Sequence, residues 1–508
     1  MSHKRLPDDK DVVRREAKRR DINSLRYALP YMSQNALASI CQWAHAHGGL
    51  PDVRDAREIR QARDELMGIE TPYGPLLVDV PFKTKDGGEI KMEFLHPWAG
   101  LYHITRISKA FSDLIRTAID WNEGCSPDSP FELVLYSDEV TPGNQLAHRN
   151  ARKVQTIYWT FLDFGPFLCC EELWITGSVI SVEDVKRIEG GWSHVMGYYT
   201  KLFFAPLTSH ADMSIAGIDL HLKGGSKLHI WVDFGLSLSD ELAGSNQLFG
   251  LKGPSGLKCC RWCVNVYNEK LPRSLDDAWA IVHSCADISK FKLHTPKTME
   301  RVVMRIRSAE AEMGPEDFKA LQTTLGFNFN PLGVLYDDFL RGKMEPSRHS
   351  MADYMHVLLV GGVVQRHIGL FFWHMRKTNM TYKSLHDYAL LYSWPKAIGG
   401  QKHAGVDSVG PPRAKINLES KTFKCYASEG RSLLPVLGHF IRQALPRCTW
   451  TNSQKDMAQC VLHLCAILGE LEAAARGVAN LASLQNHLEK HMEMFVRCPA
   501  TIGLKIRG

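Results

Sequence analysis

Asp138 closes a run of apolar and β-forming residues, Phe131, Leu133, Val134, Leu135 and Tyr136, in the stretch FELVLYSDEVTPGN. Such a run reads as a buried strand that delivers a carboxylate to its exposed end, where Pro142-Gly143 turns the chain. Asp240 follows a second run of this kind, Leu228 to Leu238 (LHIWVDFGLSL), and Asp233 inside that run competes with it for the same role. Two carboxylates carried by neighbouring strands suit a pair of Mg²⁺ or Mn²⁺ ions about 4 Å apart, the arrangement used for phosphodiester cleavage. Rigid elements are required because small displacements cost rate steeply. A third acid ordinarily comes from a helix over the sheet. Glu429 opens a helical stretch (SEGRSLLPVLGHF) with Ser428 as its expected N-cap, and Asp353 stands in Asp353-Tyr354-Met355-His356 ahead of an apolar run. The chain has 55 acidic residues. Any one of these taken alone is more often a cap or an ion-pair partner, so it is their order along strands that singles them out.

Cys260 and Cys263 form a CxxC pair, CRWC, which can give two zinc ligands from one knuckle; His283, Cys285, His294 and His356 are the candidate further donors. Without a matching second pair, the same residues also read as buried reduced thiols. Lys252, Lys258, Arg261, Lys415, Lys421, Lys424 and Arg431 flank the candidate acids. They are candidate contacts to DNA phosphates, or ordinary surface charge.

These side chains need elements to hold them. Residues 1 to 70 read as a helical region with a basic segment. Leu76 to Phe82 and Glu89 to Phe94 read as a hairpin around Asp86-Gly87-Gly88, and Tyr102 to Trp121 as a helix. From 129 to 265 strands dominate: the run from Phe131, Lys153 to Phe164, Leu173 to Ser181 and Leu228 to Leu238, with Gly197 to Ala205 a helix. Three strands, a connecting element, then a strand ending in an acid is the order of an RNase H-like sheet. The expected class is therefore α/β, an RNase H-like mixed sheet flanked by helices. Residues 266 to 350 read as a mostly helical insertion. Residues 351 to 508 supply the rest of the core and C-terminal helices, among them Ser432 to Leu445, Met457 to Ala475 and Leu484 to Phe495, with Pro411-Pro412 as a loop or linker.

Composition is that of an ordinary globular chain: 508 residues, 44% hydrophobic, 23% charged, net charge +6. The mild basic excess is compatible with a nucleic-acid partner without requiring one. Thirteen irregularly spaced cysteines with no secretory leader read as reduced thiols. No run of 18 consecutive apolar residues occurs, so no membrane span is expected. Lys4-Arg5, Arg14-Arg15 and Lys18-Arg19-Arg20 have the spacing of a bipartite nuclear import signal, or of a solvated helix face interleaved with Asp8, Asp9, Asp11 and Glu16.

The succession SDEVTPGN, then DELAG with LKGPSGLKCCRWCVNV, then DYMHVLLVGGV, then FKCYASEGRSLLPVL resembles the Plavaka/KDZ branch of cut-and-paste DNA transposases, related to the CACTA group, over roughly residues 70 to 495. The resemblance implies an RNase H-like DDE core, with Asp138 and Asp240 as the first two acids and Glu429 as the last. Asp353 and His356 match a D-x-M-H element, and Cys260, Cys263 and His356 would hold a structural Zn²⁺. It further implies Mg²⁺ or Mn²⁺ as cofactor, DNA as partner, a nuclear location and a possible homo-oligomer. The chain departs from the family in lacking an N-terminal Cys/His finger within its first 70 residues, and in stopping at Gly508 where relatives continue into a His-rich segment. The expectation is a truncated copy, so that a catalytically inactive, transposase-derived DNA-binding or protein-interaction protein stands as the alternative.

Overall fold

The computed structural model describes residues 68–141, 153–205, 212–239, 246–271, 279–282, 285–394, 406–447, 449–478 and 480–498, and Ala44. Asp240, His283, the basic clusters and nearly all of the expected N-terminal helical region lie outside the described residues. The chain divides into two units, Met1–Ile69 with Thr141–Arg152, and Glu70–Val140 with Lys153–Gly508. All strands among the described residues belong to the second unit.

That unit opens with a two-residue hairpin, β1 (Glu70–Thr71) and β2 (Gly74–Pro75), and the expected longer one, β3 (Leu77–Lys83) and β4 (Glu89–Leu95). Gly87 turns the latter at φ 83°, a conformation that favours glycine. Val80 and Phe82 face Met92 and Phe94 in the core, as period-2 alternation requires. The expected helix at 102–121 is two: α1 (Pro97–Ile107) and α2 (Lys109–Trp121). Ser108 divides them because it adopts extended backbone and accepts from Phe111 N at 3.1 Å as the N-cap of α2.

The central sheet has five strands in the order β11-β10-β5-β6-β7, namely Ser350–Ala352, Val232–Ser239, Phe131–Val140, Val154–Phe161 and Ile175–Ser181. β5, β6 and β7 form an antiparallel meander, while β10 and β11 run parallel to β5. Phe131, Leu133 and Leu135 point into the core beside their β6 neighbours Phe161 and Trp159. α3 (Gly191–Phe204) covers that face with Trp192, Val195, Met196, Tyr199 and Phe203, the last meeting Trp159 edge-on at 5.3 Å. The strand expected at 228–238 is also two. β9 (Lys227–Ile230) folds back on β8 (Ile218–His221), and after Trp231 the chain re-enters the sheet as β10.

In the 266–350 stretch, α4 (Pro296–Glu312) and α5 (Pro315–Leu325) are helical as expected, but α4 sends Met299, Val303 and Ile306 into the sheet's own core. This stretch is part of the body rather than an appendage. A second core is entirely helical. It is built by α6 (Tyr354–Leu358), α7 (Val363–Met375), α8 (Pro411–Ser420), α9 (Ala427–Ala444), α10 (Asn452–Ala474) and α11 (Leu481–Arg497). Pro411-Pro412 is the first turn of α8 and not a linker, since proline's fixed φ suits a helix start where no N–H partner is needed. α9 begins after Tyr426, so Ser428 sits inside its first turn and is not the cap. Two stretches, Tyr354–Met375 and Asn452–Ala474, are apolar and long enough by composition to cross a bilayer, although no uninterrupted run of 18 apolar residues exists. Buried core helices pass the same test, and both stretches pack into the second core.

Candidate active site at the sheet edge

Three parallel strands deliver their C-terminal ends to one edge of the sheet. Tyr136, Leu238 and Met351 lie side by side across β5, β10 and β11. Asp138 is two residues beyond Tyr136, and Asp353 two beyond Met351. Adjacent strands are about 4.8 Å apart, so the β5 and β11 positions are separated by roughly 10 Å. The middle strand's last described residue is Ser239.

A bulge decides which side chains of β10 share a face with Asp138. Val232 to Phe234 pair with Phe131 to Leu133, but the register shifts before Leu236, which pairs with Val134. Gly235 occupies the shift, and a Cβ there would come within 2.7 Å of the Glu132 Cβ. Beyond it, Leu236 and Leu238 lie on the face of Val134, Tyr136 and Asp138. Asp233 pairs with Glu132 at the opposite end of the strand, six residues or about 20 Å from Asp138. There it is held by Lys343 Nζ at 2.8 Å. This rules Asp233 out as a partner of Asp138.

Asp138 is half-buried. Its Oδ2 accepts from the Tyr136 hydroxyl at 2.9 Å, and its backbone carbonyl from Thr156 Oγ1 at 3.1 Å. Tyr136 stacks on Tyr158 at 6.0 Å. Burial, then the negative charges of Asp138 and Asp353, push the Tyr136 phenol well above its ordinary range. Both carboxylates therefore act on the Tyr136 phenol.

Asp353 is the N-cap of α6, its Oδ1 accepting from Met355 N at 2.8 Å, while its Oδ2 meets His356 Nδ1 at 2.6 Å. His356 is thereby committed to Asp353 and is not brought to the CRWC pair. Glu429 is buried at the start of α9, where its Oε2 accepts from Tyr426 N at 2.8 Å and pairs with Arg413 Nη1 at 2.9 Å. These partners give Glu429 a structural occupation. It lines a cavity of about 310 Å³ with Arg413, Ile416, Asn417, Lys424 and Cys425.

The thiols of Cys260 and Cys263 are neighbours, and burial together with Cys260 pushes the Cys263 thiol up to about 12. No third donor converges on them among the described residues. His294, whose backbone N–H bonds the Trp262 carbonyl at 2.7 Å, turns its Nδ1 to Thr298 instead. Arg261 is buried, stacks on Trp262 at 4.1 Å and reaches the Met351 carbonyl of β11 at 3.5 Å. It ties the CRWC segment to the sheet edge rather than presenting a cation to phosphate. Lys258 lies over Tyr267, and burial lowers the pKa of both Lys258 and Lys252. Lys421 lies over Trp373, and Arg431 pairs with Glu472. Lys415 and Lys424 are exposed.

One group of ligating atoms escapes the sequence-based expectations. His367 on α7, Cys460 on α10 and His491 on α11 bring their donor atoms within 4.8 Å of one another, all buried. One turn along the α10–α11 seam, His463 Nδ1 and His487 Nδ1 are 2.9 Å apart. The spacings Cys460-x₂-His463 and His487-x₃-His491, each placing two donors on one helix face, were the available signal.

The chain matches no protein-family model and no curated protein.

Proposed function

We propose that the protein is a metal-dependent DNA-cleaving enzyme of the transposase type, with an RNase H-like core and its reaction centre at the C-terminal edge of β5, β10 and β11. The single observation that supports this reading is the convergence of three parallel strand ends, two of them carrying Asp138 and Asp353 two residues past a common line. Asp240 follows Ser239 directly. The hard oxygen donors of these acids fit Mg²⁺ or Mn²⁺. The antiparallel meander of β5, β6 and β7, with β10 parallel beside β5, supports the RNase H-like assignment.

In this reading Asp138 and Asp240 hold the cations, Asp353 completes the set, and His356 orients Asp353. Tyr136 fixes the Asp138 carboxylate. Cations bound there supply Lewis-acid stabilisation of an in-line displacement at phosphorus. Lys424 and Lys415 are the exposed cations best suited to DNA phosphates. Asp353 is favoured over Glu429 as third acid because Asp353 and Asp138 both bear on Tyr136, whereas Glu429 is engaged by Arg413 and the α9 cap.

A second reading, a catalytically inactive DNA-binding or protein-interaction protein, is favoured by one observation: Asp138, Asp353 and Glu429 all have protein partners. The two are separated by incubating the protein with supercoiled plasmid and Mg²⁺ or Mn²⁺. Nicking that disappears in Asp138→Ala supports the enzyme. Nicking that persists in that variant, or none in the unaltered protein, sinks it.

A further inference from the structure

We propose that His367, Cys460 and His491 form a binding site for a zinc-class divalent cation that clamps α7, α10 and α11 together, separate from the sheet-edge acids. The donors lie on three different helices, so one ion would cross-link the second core at its centre. Cys460 Sγ is 3.8 Å from His367 Nδ1 and 3.4 Å from His491 Nδ1. One thiolate and two imidazoles are the donor types that select zinc over magnesium or calcium.

An independent observation points to a ligand. His491 Nδ1 lies 3.0 Å from the Cys460 carbonyl, which takes its proton and fixes the tautomer with Nε2 unprotonated. That Nε2 is buried and has no hydrogen-bond partner. A buried acceptor without a partner costs about 1–3 kcal/mol. A backbone carbonyl on one ring nitrogen with the other left free is also how metal-binding histidines are commonly oriented. A cation would relieve the cost, provided that a turn of the ring brings Nε2 to it in place of the Nδ1 that faces the Cys460 thiol.

The rings of His367 and His491 are stacked, 4.7 Å apart and 17° from parallel, and Phe495 lies 4.1 Å beyond His367 in the same stack. A metal must sit near the plane of each imidazole it binds, and two stacked rings share no in-plane point. The stacked pair is thus the metal-free arrangement, and coordination turns one ring about its Cβ–Cγ bond. Binding also releases the Cys460 thiol proton to solvent, because the thiolate is the ligand. Three protein donors leave a fourth position for water or a further ligand.

The test uses the full chain carrying Cys260→Ser and Cys263→Ser, so that the CRWC pair cannot supply the signal. Expected is about one equivalent of bound zinc by elemental analysis, and, after stripping and addition of Co²⁺, a thiolate-to-cobalt charge-transfer band. The band should vanish on further change Cys460→Ser and survive Cys465→Ser, a half-buried cysteine off the cluster. Chelation should lower the unfolding temperature of the parent and leave Cys460→Ser unchanged. Should Cys460→Ser not fold, the cobalt band and metal content of the parent still decide. A parent that takes up neither zinc nor cobalt, or whose band persists in Cys460→Ser, overturns the proposal and leaves the cluster as packed core histidines.

Discussion

Tyr136 and Asp138, two residues apart on the same face of β5, are joined by a 2.9 Å hydrogen bond from phenol to carboxylate. Burial and the surrounding carboxylates hold the phenol protonated, so the bond always runs in that direction. It selects one orientation of the Asp138 carboxylate and leaves Oδ1 to other ligands. Groups that orient a metal ligand typically contribute 10- to 100-fold in affinity or activity. Tyr136→Phe is therefore expected to raise the Mg²⁺ concentration for half-maximal nicking about tenfold, with the far-ultraviolet circular dichroism unchanged. An unaltered metal dependence would show that Tyr136 does not position Asp138.

Asp353 and Glu429 are both candidates for the third acid, and their surroundings predict opposite phenotypes. Glu429 is a buried carboxylate whose charge is matched by Arg413 and whose oxygen caps α9. Glu429→Gln should cost about 2–3 kcal/mol of stability, less than a fully buried pair because Arg413 is partly exposed, and should leave nicking largely intact at low temperature. Asp353→Asn should abolish nicking with little loss of stability, because asparagine caps a helix about as well as aspartate and can still accept from Met355 N. Thermal melts and plasmid nicking on both variants check this. The reverse pattern would make Glu429 the catalytic acid.

The strands of the meander could be read from sequence because each is a short aromatic and β-branched run ended by a turn, and the structure starts β5 at Phe131 as read. What escaped was set by single residues acting through the backbone. Trp231 separates β9 from β10 inside one continuous apolar run, and Ser108 splits α1 from α2 by capping. The bulge at Gly235 follows from its crowding against Glu132, a contact that no local pattern encodes. The position of Asp138 near the C-terminal end of β5 was legible, whereas the turn expected at Pro142-Gly143 lies outside the described residues. The His367, Cys460 and His491 group was not, because its members come from three helices spread over more than a hundred residues and meet only once the second core has packed.

Gly235 allows a direct check on the register of β10 against β5. A Cβ at 235 would sit 2.7 Å from the Glu132 Cβ and 3.2 Å from the Leu133 carbonyl, so the two strands must part locally to admit it. Gly235→Ala is expected to destabilise by about 1–3 kcal/mol, the usual cost of overpacking. The same variant should reduce nicking more than its stability loss explains, since the bulge sets which β10 side chains accompany Asp138. Denaturant unfolding compared with nicking well below the melting temperature measures both. A variant as stable as the parent would mean that the close contact is relieved at no cost.

Two histidines make acid stability a further test. Burial, reinforced by Lys258, lowers His294 to about 4. Burial lowers His349 to about 4 as well, with Arg348 adding to it and Asp233 opposing. Both values lie below the unfolded value near 6.5, so the unfolded chain takes up protons that the folded chain refuses in the window between. Stability from these two groups is independent of pH above about 6.5, falls as pH drops from there towards 4, and is flat below. At 1.36 kcal/mol per unit, each contributes at most about 3 kcal/mol across the window. His294→Gln and His349→Asn should each make the unfolding free energy less dependent on pH between those limits, even where they lower it at neutral pH. Urea unfolding at a series of pH values gives the slope directly. A slope unchanged in both variants would mean that these histidines take up protons alike in the folded and unfolded chain.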